Sequence, residues 1–136
     1  MKYRDIRAYK FQVYETEVTK TPIIPEKEIY HEFFMLLMDG TLTVKKGYAW
    51  DGASGPVIQT KALLKASLAH DVFFQCMRVG LLPKSYFEVV NKFLQIQCIQ
   101  FGMNKLFAWG VYQAVQTCGK KYIEPRPEDK NPVMEI

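Results

Sequence analysis

The chain has 136 residues, 49% of them hydrophobic and 14% aromatic, with a formal net charge of +4. That length supports one domain with a real core, and that composition excludes a disordered chain. The lysines are scattered, with only Lys45-Lys46 and Lys120-Lys121 adjacent, so the dense basic stripe of a nucleic-acid binder is missing and no such partner is expected.

From Tyr9 to Val18 the sequence alternates, with Phe11 and Val13 on one face and Lys10, Gln12 and Tyr14 on the other, which predicts a strand. Thr21-Pro22 to Pro25-Glu26 reads as a loop, because prolines do not sit inside paired strands. His31 to Met38 and Thr41 to Tyr48 flank Asp39-Gly40, the signature of a two-residue hairpin. The first arm is apolar on both faces and belongs in the middle of a sheet. The second sets Leu42 and Val44 against Thr41, Thr43 and Lys45.

After Pro56 the period changes. Thr60 is placed to cap a helix running to about Val79, closed by Gly80. Pro83 introduces a second helix ending at Gly102, with Ser85 and Glu88 spaced as a capping box. Asn104 caps a third helix, Lys105 to Cys118, closed by Gly119. The tail from Tyr122, with Pro125, Pro127 and Pro132, reads as an extended arm. The expected fold is α+β: a small antiparallel sheet covered by three helices, a single domain over 1–121, and a Pro-rich tail over 122–136.

Cys76, Cys98 and Cys118 form an odd set without CxxC spacing, which favours small buried hydrophobes in a reducing compartment over disulfides or zinc. The N-terminus lacks a signal-like apolar run, and the longest apolar stretch, Phe33 to Met38, is too short to span a bilayer. A cytoplasmic origin is expected.

Two segments stand out chemically. Gly47 to Pro56 places Asp51 in a Gly-rich turn after a strand, with Gly52, Ser54 and Pro56 as its turn residues. On the first helix, Leu63, Ser67, His70, Phe74 and Met77 share one face. His70 thus lies in an apolar stripe, while Asp71 sits on a narrow polar strip with Thr60, Gln75 and Arg78. A buried neutral imidazole needs a partner. In one reading Asp51 caps a turn and His70 is a satisfied core residue. In the other, Asp51, His70 and Asp71 converge on a divalent metal or on water. Ser54 lacks both the GxSxG elbow and the lysine of a phosphate loop, so it reads as turn chemistry. His31 has no sequence-local partner and reads as a surface residue. Tyr48, Trp50 and Trp109 suit core or interface packing.

Gly47 to Pro56, Ala66 to Asp71, and Tyr112-Gln113-Ala114-Val115 with Gly119 together resemble the phage and prophage family called domain of unknown function 1353. The resemblance runs from about Gly47 to Gly119 and implies a phage or prophage origin, without an established activity. Where that family has Ala-Asp-x-x-Phe on its second helix, this chain reads Val90-Asn91-Lys92-Phe93-Leu94. Asn91 falls on the inward stripe with Phe87, Val90, Leu94 and Cys98, where it can bond His70 or offer a neutral oxygen to a metal but cannot act as a base.

The expectation is a small phage-encoded structural or binding protein, a virion component of the tail or neck type, with Asp51, His70 and Asn91 as a buried polar network. Its partners would be other phage proteins or further copies of itself, in the host cytoplasm or the virion. The alternative is a metal-assisted hydrolase of a cell-wall fragment or another small host molecule. There Asp51 and His70 would be ligands, with Asn91 offering a neutral oxygen to the metal and Asp71 orienting the imidazole or acting as base.

Overall fold

The computed structural model describes residues 3–4, 11–50, 52 and 60–126. Among these residues seven short strands precede three helices: β1 (Tyr3–Arg4), β2 (Phe11–Val13), β3 (Glu17–Lys20), β4 (Ile29–Tyr30), β5 (Phe34–Leu36), β6 (Thr41–Val44) and β7 (Ala49–Trp50), then α1 (Lys61–Arg78), α2 (Phe87–Gln100) and α3 (Lys105–Cys118). The α+β expectation holds, but the strands form two sheets, ordered β1-β2-β7 and β3-β6-β5-β4, with every pair antiparallel.

The two sheets arise because two long arms bend together. The arm from Phe11 breaks at the exposed Tyr14-Glu15-Thr16, and the arm from Thr41 turns at Lys45-Lys46-Gly47. A bond from the Lys46 amide to Thr16 Oγ1 (3.2 Å) crosses the bend. On one side of it β2 pairs with β7; on the other β3 pairs with β6. Alternation survives the bend, so Val13, Leu42, Val44 and Trp50 are all buried.

β5 lies between β4 and β6, as an arm apolar on both faces requires. The turn that joins β5 to β6 differs from the two-residue form. The Gly40 amide donates to Leu37 O (3.0 Å) and the Leu37 amide to Thr41 O (3.0 Å), so Met38 and Asp39 occupy the centre of the turn. Gly40 follows at φ +89°, giving a three-residue loop with a glycine bulge. A two-residue type I′ turn would need positive φ at Asp39 as well, and no non-glycine residue among those described adopts it. Asp39 instead accepts the Thr41 amide on its own Oδ1 (2.9 Å), which favours the bulged form. The amide and hydroxyl of Thr21 both donate to Gly40 O (2.9 and 2.8 Å), joining the 21–26 loop to this turn.

The helices follow the capping logic closely. Thr60 Oγ1 accepts the Leu63 amide (3.1 Å) and Asn104 Oδ1 accepts the Phe107 amide (2.8 Å). α1 ends in a Schellman pair, Gly80 N–H to Met77 O and Leu81 N–H to Cys76 O, and α2 ends the same way at Gly102. The proposed Ser85–Glu88 capping box does not form. A 3-10 turn over Lys84–Tyr86 precedes α2, and Tyr86 at the cap makes no side-chain cap bond. After Pro83 the chain enters its first turn too tightly for the Ser85 hydroxyl to reach the α2 amides.

α1 and α2 share the main core with the strands, through residues such as Leu64, Phe73, Val90 and Phe93. α3 packs on their far side through Ala108, Val111 and Val115 against Leu63, Ala66, Leu94 and Cys98. The segment expected to start an extended arm at Tyr122 is packed at its beginning instead. Lys120–Ile123 is a 3-10 turn, Tyr122 packs against the core and Ile123 is buried. Burial of those two apolar side chains outweighs the pull of the prolines that follow. Cys76 and Cys98 are buried as expected, while Cys118 is exposed at the α3 terminus. No helix among the described residues is long and apolar enough to cross a membrane.

Gly40→Ala tests the turn. A Cβ there would stand 2.1 Å from Thr21 O, at a φ of +89°. Denaturant unfolding is expected to show a loss of about 2 kcal/mol or more. A loss under ~0.5 kcal/mol would contradict the turn geometry.

Candidate functional site

Three polar contacts are spaced along α1, two from its inward stripe and one from the polar strip beside it. Near its start Ser67 accepts from Trp50 Nε1 (3.0 Å) while donating to Leu64 O (2.7 Å). Near its end Gln75 Oε1 accepts from the Tyr48 hydroxyl (2.9 Å). These two bonds clasp the Gly47–Trp50 segment to α1. Between them His70 faces α2.

His70 Nε2 lies 2.7 Å from Asn91 Oδ1, and Asn91 Nδ2 donates to Gln116 Oε1 at 2.7 Å. Each helix therefore contributes one residue to a single polar chain: His70 from α1, Asn91 from α2, Gln116 from α3. The middle member is 0% exposed. Because Oδ1 only accepts, Nε2 is the imidazole atom that carries the proton. The ring also packs against Phe74, centroids 4.1 Å apart, which in turn stacks on Phe87 at 5.7 Å. Burial lowers the His70 pKa from its ordinary 6.5 to about 4, against a smaller opposing effect of the bond to Asn91. At neutral pH the ring is uncharged and a weak base.

The structure thus brings together two of the residues singled out in the sequence, His70 and Asn91, in the contact expected for them. Asp71 occupies the half-buried strip with Gln75 and Arg78. Asp51, Ser54 and Pro56 lie outside the described residues; Gly52 is buried at φ +81°. Among the described residues no group of three or more His, Cys, Asp or Glu side chains is placed to hold a metal ion. His31 departs from the expectation of a partnerless surface residue. It sits in the turn between β4 and β5, half-buried, where Nδ1 accepts the Phe33 amide (3.1 Å) and the ring stacks on Phe34 at 4.3 Å. The turn folds the imidazole back over its own backbone, which no strand would do.

Gln116 was not among the residues singled out. Its signal is present in the spacing: it stands four residues after Tyr112 and eight after Ala108, both buried, so it falls on the inner face of α3. A polar residue there invites the question of its partner.

Comparison with family models, with curated proteins and with solved structures gives no match in any of the three.

The lowered His70 pKa fixes a pH dependence. Between about pH 6.5 and 4 the unfolded chain binds a proton at this site that the folded chain refuses, so stability falls as pH falls through that window. The loss amounts to about 3 kcal/mol when complete. Melting curves across that range should show the decline in the wild type. In His70→Gln, which keeps a donor for Asn91 without titrating, the slope should be flatter. Parallel curves for the two proteins would refute the assignment. His31, whose pKa burial also lowers, contributes equally to both and cancels in the comparison.

Proposed function

We propose that this is a small binding or structural protein that works by association, with the His70–Asn91–Gln116 chain as a structural tie. The observation that carries the reading is the full engagement of Asn91. Its carbonyl faces His70 and its amide faces Gln116, each at 2.7 Å, so the best-buried polar group is satisfied inside the protein. A catalytic base or nucleophile generally keeps its reactive atom open to substrate. Here Nε2 of the imidazole is turned to a neighbouring helix.

The surface supports association. On α3, Leu106, Phe107 and Trp109 are 75%, 67% and 54% exposed, and Ile96 and Ile99 of α2 are exposed as well. Large apolar side chains on adjacent exposed turns are a usual mark of a contact surface. The motif resemblance from Gly47 to Gly119 adds a phage setting, with virion proteins or further copies of the chain as partners.

The other reading, a metal-assisted hydrolase using Asp51 and His70 as ligands with Asp71 as base, would have to hold the metal through Nδ1 or pull Nε2 from Asn91. The two readings separate on one experiment. Metal content and melting are measured for wild type, His70→Ala and Asn91→Ala. A structural tie predicts that both variants lose about 2–4 kcal/mol, since each strands buried polar partners, with metal content unchanged by either. Stoichiometric zinc, manganese or magnesium in the wild type, lost in a His70→Ala protein that melts normally, would replace this reading with the hydrolase.

A further inference from the structure

The polar chain between the helices leaves a second group of polar side chains without a role. They line a groove of about 420 Å³ between β3 and the helices α1 and α2, a size that suits a small ligand. Its floor is aliphatic: Leu42, Val44, Leu68 and Ala69. The strand register sets Glu17 opposite Val44 and Thr19 opposite Leu42. Glu17 and Thr19 therefore share the core-facing side of β3 with two buried aliphatic residues, although β3 is an edge strand with an outer face available.

Gln97 lines the same groove. It is 4% exposed, and its Oε1 is sealed from solvent with no hydrogen-bond partner among the described residues. A buried carbonyl without a donor is destabilising, and such a group calls for a functional explanation. Lys65 lines the groove too, its ammonium held 4.5 Å from the centroid of the Phe101 ring. The remaining charged residue, Lys20, is paired with Asp39 at 3.4 Å. The groove thus combines one carboxylate, one cation and one acceptor needing a donor, over an aliphatic floor. A neutral apolar ligand would leave Gln97 unsatisfied. A simple anion would meet Glu17, and a simple amine would meet Lys65.

We propose that this groove binds a small zwitterion of the amino-acid or dipeptide class. The ligand's ammonium faces Glu17 and, once the Gln97 side chain turns its Oε1 into the groove, donates to that carbonyl; its carboxylate faces Lys65, and its aliphatic side chain covers Leu42 and Leu68. This site is separate from the helix tie and does not depend on it.

The test is an NMR titration of the full chain with L-leucyl-L-leucine, beside its N-acetylated and C-amidated forms. Saturable shifts are expected at the Thr19, Lys65 and Gln97 amides, weakened about tenfold or more by either blocking group and by Gln97→Leu. Gln97→Leu removes the sealed carbonyl at nearly constant volume, so it should fold, which melting checks; Glu17→Gln carries the same comparison on a more accessible position. Absence of saturable shifts up to ~10 mM dipeptide would overturn the proposal, as would undiminished binding to both variants.

Discussion

A single amide, the side chain of Asn91, constrains the helical half of this protein. Buried completely, it must satisfy a carbonyl and an amino group at once, and it does so with His70 on one neighbouring helix and Gln116 on the other. Leu94, Cys98, Ala108 and Val111 supply attraction between the helices, but aliphatic contacts tolerate sliding. A hydrogen-bonded amide does not: a shift of α3 along α2 by one residue would separate it from Gln116 while leaving much of the apolar contact intact. The apolar side chains thus provide adhesion and the polar chain provides register, a division seen where buried polar groups select one packing among several. An aspartate at this position would bring a charge into the same space and favour a protonated His70.

The strands are fastened to this bundle at the clasp formed by Trp50 with Ser67 and Tyr48 with Gln75. Both aromatic residues sit just beyond the bend in the ribbon. They bury large apolar bodies, and each finds a partner on α1 for its polar atom. Strands and helices are thereby fastened together over a short stretch of chain.

Much of this architecture is legible in the sequence. The start of α3 at Asn104, the end of α1 at Gly80 and the central place of β5 follow from local chemistry: a side-chain cap, a left-handed terminus, an arm apolar on two faces. The pairing of His70 with Asn91 also follows, because two polar residues on inward stripes of neighbouring helices have few alternatives. What escapes is non-local or finely balanced. The bend that splits one ribbon into two sheets depends on where two arms lie across from each other. The Asp39-Gly40 turn shows the limit of dipeptide rules, since the bulged loop uses the same residues with Gly40 alone in the left-handed region. Ser85 had the right spacing for a cap, but Pro83 sets a 3-10 entry that removes its target. Gln116 needed a three-helix view, and Gln97 is conspicuous only once its carbonyl is seen to be sealed.

The bent ribbon also implies an order of assembly. The Gly40 turn joins β5 to β6 over a few residues, and the contact from Thr21 to Gly40 brings β3 alongside. Phe11 and Trp50, at the far end, face each other only across the whole intervening segment. Pairing them first would close that long loop at once, with its full entropy. After β3 has joined β6, the remaining closure spans little more than the bend itself. The ribbon is therefore built to zip outward from Gly40, and the clasp on α1 becomes the last tooth.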